Sequence, residues 1–483
     1  MNVVDRSLTR RRVLALGAAA PLLGAFGPAR GAGAGADVLV LGAGIAGLHA
    51  ARLLQASGLN VTVLEASARV GGRCWTAREV PGRPELGAAQ VGRGYGRVRA
   101  NAAELGVALA DAVPGAASQM GSAKVAVSVD GRPVDGVPWA ESASNRLPPN
   151  ERALLPLQLY GRYIGAKSPL VDLGDWLKPE FAALDQQSLR QYFSAQGASP
   201  EALRLLNVNV AARNLDEANA LDAMRKVHFY GWEARHGLGS TVRDGTSALT
   251  DAMAAALAHP VQLQRVVRRI QAGARATVVT CADGSVHRAR ACITTIPLSV
   301  FKDIAVEGEV PALQREAWRE IRYGQLVQVF MAVEQPFWEK DGLAPELWSD
   351  GPIERVLPLS NPAGGPAHLV AFINGEATDA LDRMAPAAVG EFVLKELNRL
   401  RPSTVGALRV THVHDWLTQP FARGHIAGYA PGGIGRYEAL LARPVGTLHF
   451  AGEHCGKLHA GMEAACESAE AAALRVLDQL DRG

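Results

Sequence analysis

Two short apolar runs rich in β-branched residues, Val38–Leu41 and Val61–Leu64, flank a stretch from Leu48 to Ser57 whose apolar positions recur at helical spacing. Between the first run and the helix stands Gly42-Ala-Gly44-Ile-Ala-Gly47, and Glu65 closes the second run. The pattern predicts a strand, a glycine turn, a helix and a second parallel strand. Farther along, residues 151–226 read as helical and 245–258 as one good helix. Leu369–Asn374 and Leu448–Gly452 read as strands, and the small residues from Gly461 to Ala473 as a helix. Residues 115–150, rich in Pro, Ser and Gly, predict loops over a pocket. No internal repeat or low-complexity linker breaks the chain.

The first unit carries chemistry. Gly42 permits the tight turn, Gly44 lets the backbone approach a pyrophosphate, and Gly47 lets helix and strand pack closely. The first helical N–H groups, at Ile45 and Ala46, and the helix dipole then hold phosphate charge. Glu65, 23 residues after Gly42, suits a ribose diol and repels a 2′-phosphate, which argues against NADP. Arg69-Val-Gly-Gly-Arg73 adds two glycines and a guanidinium, a second clamp on the same pyrophosphate.

Composition narrows the class. The chain has 483 residues, 48% of them apolar, too long for one ordinary domain and too apolar for disorder. Of the net +3, residues 1–30 supply +4, from five arginines against Asp5, so the remainder stands at −1 and points to no nucleic-acid partner. Those arginines include the run Arg10-Arg11-Arg12, followed by a mildly apolar stretch, Val13 to Gly27, and the exit Ala32-Gly33-Ala34. Residues 1–34 are expected to be a twin-arginine signal peptide, giving a periplasmic or secreted protein that loads its cofactor before export. No later apolar run reaches the roughly 20 residues of a membrane span. Cys74, Cys281, Cys292, Cys455 and Cys466 form no metal-binding or disulfide spacing, and no metal is expected.

Gly42 to Gly47, Glu65-Ala66 and Gly71-Gly72-Arg73 resemble the FAD-binding half of the flavin amine oxidase superfamily, which includes monoamine, polyamine and L-amino-acid oxidases. Glu85-Leu-Gly87-Ala88 resembles its loop beside the flavin, Val267-Arg-Arg-Ile270 its adenine-side strand, and Cys292 to Pro297 its segment re-entering the flavin domain. Phe450-Ala-Gly452-Glu453-His454 and Gly461-Met462-Glu-Ala-Ala465 resemble its closing segment, and Trp416 matches a tryptophan near the flavin. The resemblance implies an α/β architecture. A Rossmann-like FAD-binding domain is built from residues 37–110, 236–305 and 415–483, beside an α+β substrate domain from 111–235 and 306–414. A helix starting at Gly461–Met462 would aim its positive end at the flavin ring.

The chain departs from this family at the substrate side. Gln328 stands where the family has a lysine holding a water against the flavin, so no cation is supplied there. Ile426 and Gly461 replace the two aromatics that sandwich the amine, and Gln90 replaces the arginine that clamps an amino-acid carboxylate. His425 falls near the cysteine that links covalently to the flavin in monoamine oxidases; non-covalent FAD is expected, with a His425 link as the alternative. His454 and His459 flank Cys455 as acid/base candidates. The resulting expectation is an FAD-dependent enzyme that oxidises the C–N bond of a small-molecule amine to an imine. Its electrons pass to O₂ or to a periplasmic carrier. Two alternatives stand beside it: a C–C desaturase or oxidase of the carotenoid or protoporphyrinogen type, and a non-catalytic flavoprotein partner.

Overall fold

The computed structural model describes residues 36–111, 124–165, 168–237, 239–359 and 367–481; the expected signal peptide lies outside them. Strand β1 (Val38–Leu41), with all four residues buried, runs straight into the glycine turn and helix α1 (Ile45–Ala56). The chain returns as β2 (Val61–Leu64), parallel to β1 with Val38 opposite Val61. On the other side of β1 comes β4 (Ala291–Thr294), also wholly buried, and beyond it β8 (Leu448–Phe450). The order β8-β4-β1-β2 is a parallel sheet assembled from three distant parts of the chain. Strands buried on both faces read as near-continuous apolar runs and not as alternations, broken here only by Thr62, Thr294 and His449.

Helix α7 (Gly461–Asp481) covers that sheet together with α1. Its inner positions, including Ala465, Ala469, Ala472 and Ala473, are small and fully packed, so the two helices approach closely. Beside the sheet, β3 (Val267–Ala272) joins strands 277–281, 286–289 and 305–307 in a second four-stranded sheet.

A six-stranded sheet forms the other half. Its consecutive members are β7 (Leu408–Asp415), β5 (Leu326–Val333), β6 (His368–Asn374) and the strands 355–359, 347–349 and 126–128. One face packs on helix α5 (Pro386–Leu400) through Val329, Met331, Val393 and Leu397. The other face, carrying Leu326, Gln328 and Phe372, looks toward the parallel sheet across a cavity. Helix α3 (Ala220–Arg235) and its helical neighbours close the remaining side. Asp185, 2% exposed, ties these helices to the C-terminal segment. Its carboxylate accepts N–H groups from Ile434 and Gly435 at 3.0 and 2.9 Å, at the start of α6 (Gly433–Leu441), and from the Asn219 amide at 2.7 Å. The five cysteines are all buried and free. Among the described residues no helix is long and apolar enough to cross a membrane.

Several histidines are sealed inside this packing. His49, on α1, places Nδ1 3.0 Å from the Asn101 amide on α2 (Gly96–Glu104), and burial pushes its pKa down to about 4 against the smaller opposing pull of that hydrogen bond. His449 on β8 is likewise pushed down by burial to about 4. An unfolded histidine titrates near 6.5, so from about 6.5 down to 4 the unfolded chain binds protons that the folded one refuses. This stability is fully present above pH 6.5 and is lost on acidification. The thermal midpoint should stay level from pH 8 to 7 and fall between pH 6.5 and 5, with a shallower fall in His49→Gln; a midpoint flat down to pH 5 would contradict it.

Candidate active site

The turn after β1 is set by steric exclusion. Gly42 has φ +102°, and a Cβ there would sit 2.6 Å from Thr295 Oγ1. A Cβ on Gly47 would meet the Gly42 carbonyl oxygen at 1.9 Å, so helix and turn touch only because both lack side chains. Gly44 caps α1 with no side-chain hydrogen bond, and the nearest atom to a Cβ built on it is 3.9 Å away. The open N–H groups of the helix thus face free space. A second glycine pair locks beneath: Gly71 donates to the Ala43 carbonyl at 2.8 Å, and Gly72 takes φ +56°.

That free space is one continuous cavity of about 750 Å³ between the two main sheets. Gly42, Gly44, Ile45, Ala46, Glu65, Ala66, Gly72 and Arg73 line one part, with Val267. Gly87, Ala88, Trp416, Gly452, Glu453 and Met462 line it farther along, as do Gln328, His425, Ile426 and Gly461. Glu65 is 7% exposed at the end of β2, where its carboxylate accepts the Ala43 N–H at 2.7 Å and both the N–H and hydroxyl of Ser67 at 2.8 Å. Helix α7 begins at Gly461, so its N-terminus abuts the wall, as the sequence pattern suggested.

Arg73 does not stand free as a clamp. It donates to Glu453 at 2.9 Å and to the His425 carbonyl at 2.9 Å, while Glu453 also accepts the Ala427 N–H at 2.8 Å. Burial alone would raise the Glu453 pKa, but Arg73 and His454 hold it below the ordinary carboxylate range. Trp416, 2% exposed, fixes its indole N–H on the Leu86 carbonyl at 2.8 Å. His425 turns Nδ1 to the Gly324 carbonyl at 2.8 Å; burial outweighs that bond and pushes its pKa down to about 4.

Four expected residues lie off the wall; one is His454, whose Nδ1 stands 3.4 Å from the Tyr323 hydroxyl. Gly47 packs behind the turn. Gln90 is exposed because strand alternation sends its neighbour Val91 inward. His459 bonds Glu467 at 2.9 Å and stands edge-on to Phe229, so it meets a carboxylate and a ring in place of the cavity. Conversely, sequence reasoning missed Gln264, Trp75, Leu326, Phe372 and the segment 419–422 as wall residues. Phe372 is there because it pairs with Gln328 across β5 and β6, a register no local pattern reveals.

These features fit FAD. A Cβ on Gly44 would stand in the open space beside the turn, the helix N-terminus is uncapped, and Gln328, 4% exposed on the wall, has its Oε1 buried without a partner. The cavity volume lies within the range of cofactor sites.

The family model for flavin containing amine oxidoreductases matches residues 45–477. The chain is 26% identical to the flavin-containing amine oxidase B of Sus scrofa, over 92% of this chain and 87% of that one. Its fold is like that of cyclohexylamine oxidase from Brevibacterium oxydans (TM-score 0.72, 22% identity, 93% of this chain and 100% of that one). It is also like that of putrescine oxidase bound to putrescine (TM-score 0.74, 23% identity, 92% and 99%).

Because the Arg73–Glu453 pair is hydrogen-bonded with side chains only 22% and 11% exposed, Arg73→Leu or Glu453→Leu alone should cost about 1–3 kcal/mol by leaving the partner charge unpaired in a partly buried site. The double variant should cost clearly less than the sum of the two. Denaturant unfolding of the three variants measures this, and additive costs would mean the pair carries no coupling.

Proposed function

The chain belongs to the flavin-containing amine oxidoreductases, and on that premise we propose that its cavity holds non-covalent FAD along the glycine turn and a small amine at the Gln328 end. The observation that carries this is the continuity of the cavity: nucleotide-binding features and an apolar pocket share one wall. Bound there, FAD would accept the hydride that leaves the carbon beside the amine nitrogen, giving an imine that water hydrolyses. The chain's own part is orientation. Gly42, Gly44 and the α1 N-terminus hold the pyrophosphate, Glu65 takes the ribose hydroxyls, and the α7 N-terminus meets the electron-rich ring edge. Leu326, Phe372, Trp416 and Ile426 make a mostly apolar pocket, which favours the unprotonated amine.

Gln328 brings no cation to the flavin edge, so reaction with O₂ should be slow and a periplasmic carrier the better acceptor. Anaerobic mixing with a panel of amines should bleach the ~450 nm flavin band. The band should return slowly in air and quickly with an artificial electron acceptor. Acid precipitation should release the yellow chromophore, as it does not from a covalent adduct. Bleaching by no amine would sink the reading; colour that stays with the protein would move the link to His425.

The run Arg10-Arg11-Arg12 ahead of a mildly apolar stretch supports reading residues 1–34 as a twin-arginine leader and the enzyme as periplasmic or secreted. A reporter fused after residue 36 should be exported, and Arg10→Lys with Arg11→Lys should block it in a Tat-competent host. Export untouched by that change would point to another route.

A further inference from the structure

Beside the cofactor cavity lies a second, smaller pocket of about 230 Å³. One wall is the segment 301–306, and the other is helix α4 (Ala312–Glu320). Phe301 and Trp318, 1% and 4% exposed, meet edge to face with ring centroids 5.0 Å apart, and with Ile304 and Val306 they give the pocket an apolar side. Ile304 lines the cofactor cavity as well, so the two spaces share a partition.

The rest of the lining, apart from Ala305, is cationic: Lys302, Arg315 and Arg319. Arg315 and Arg319 stand one helical turn apart on the same face of α4, a spacing at which like charges repel. Arg315 is held across the pocket by donating to the Val306 carbonyl at 3.0 Å. The side chains of Lys302 and Arg319 make no hydrogen bond or ion pair among the described residues. No carboxylate among those residues lines the pocket, and the nearby ones are engaged elsewhere. Asp303 pairs with Arg423, and Glu307 pairs with Arg269 at 3.1 Å. Glu316 accepts from Arg436 and from the Tyr437 hydroxyl, both at 2.7 Å. Glu320 belongs to that same side: burial first, then Glu316, pushes the Tyr437 hydroxyl up to about 12, and Glu320 adds to the rise.

Three cations around one pocket without a counter-charge make its potential positive, and an anion bound there relieves their repulsion. A guanidinium takes a carboxylate through two parallel N–H groups. The apolar side adds to the binding of an apolar body and offers nothing to a bare, strongly hydrated anion.

We propose that this pocket is a second ligand site, for a small organic carboxylate whose anionic end meets Arg315 and Arg319 and whose body lies on the apolar lining. The site stands apart from the amine reading, since it meets the cofactor cavity only at Ile304.

Benzoate and inorganic phosphate test this by calorimetry on the FAD-loaded protein at pH 7.5, where benzoate is ionised. Benzoate should bind, and its affinity should fall about tenfold or more when Arg315→Gln and Arg319→Gln are combined, as expected for lost charge-assisted hydrogen bonds. Phosphate should bind at least about tenfold more weakly than benzoate. The double variant removes two cations that lack carboxylate partners, so it should keep its flavin band and its thermal midpoint. If it unfolds, Arg319→Gln alone, at an exposed position, decides the matter by a several-fold loss. Benzoate affinity unchanged by these substitutions, with a shifted flavin band, would put the ligand in the cofactor cavity and overturn the proposal. Phosphate binding as tightly as benzoate, or no benzoate binding at all, would overturn it too.

Discussion

The partly buried contact between Arg73 and Glu453 joins residues 380 positions apart, and the walls of the cavity depend on it. Arg73 follows directly on the second glycine pair, and Glu453 stands three residues past the end of β8. The same guanidinium reaches the His425 carbonyl, and the same carboxylate receives the Ala427 N–H. One charged pair thereby sets the distance between the N-terminal turn, the strand leading to α7 and the segment that carries Ile426. A pair of this kind contributes little net stability against an apolar substitute, but breaking it on one side is severe. Its value is specificity: the glycine turn and the helix N-terminus of α7 can share a cavity only if these pieces meet in one arrangement.

What could be read from the sequence was local. The β1–turn–α1–β2 unit is legible because its determinants lie within 28 residues and each glycine has a steric reason to be glycine. Glu65 follows from its position at the end of β2, and the helix start at Gly461 from the change to small residues. Arg73 was legible as part of the site but not as half of an ion pair, because Glu453 is remote in sequence. Gln90 and His459 failed for two physical reasons. A one-residue shift along a strand reverses the face, which put Val91 inside and Gln90 outside. His459 found the carboxylate of Glu467 on the first turns of α7, a partner visible only once the loop before the helix has folded back.

The substrate wall was the least legible part, since it is made by register. Phe372 and Gln328 come from strands more than forty residues apart and become neighbours through antiparallel pairing. The chemistry is equally non-local: an amide such as Gln328 is ordinary until an apolar cluster removes its hydrogen-bond partner. The loss of a lysine and two aromatics relative to the amine oxidases changes what this wall offers. Gln328 and Ile426 put a neutral amide and an aliphatic side chain on that wall.

The central claim is that one cavity places a flavin and an amine end to end, with the nucleotide at the glycine turn. A crystal structure of the flavin-loaded protein tests it most directly. The ribose of FAD should lie on Glu65, its pyrophosphate on Gly44 and the α1 N-terminus, and its ring system between the α7 N-terminus and Gln328. A flavin ring at the Glu65 end, or a cofactor bound outside this cavity, would contradict it.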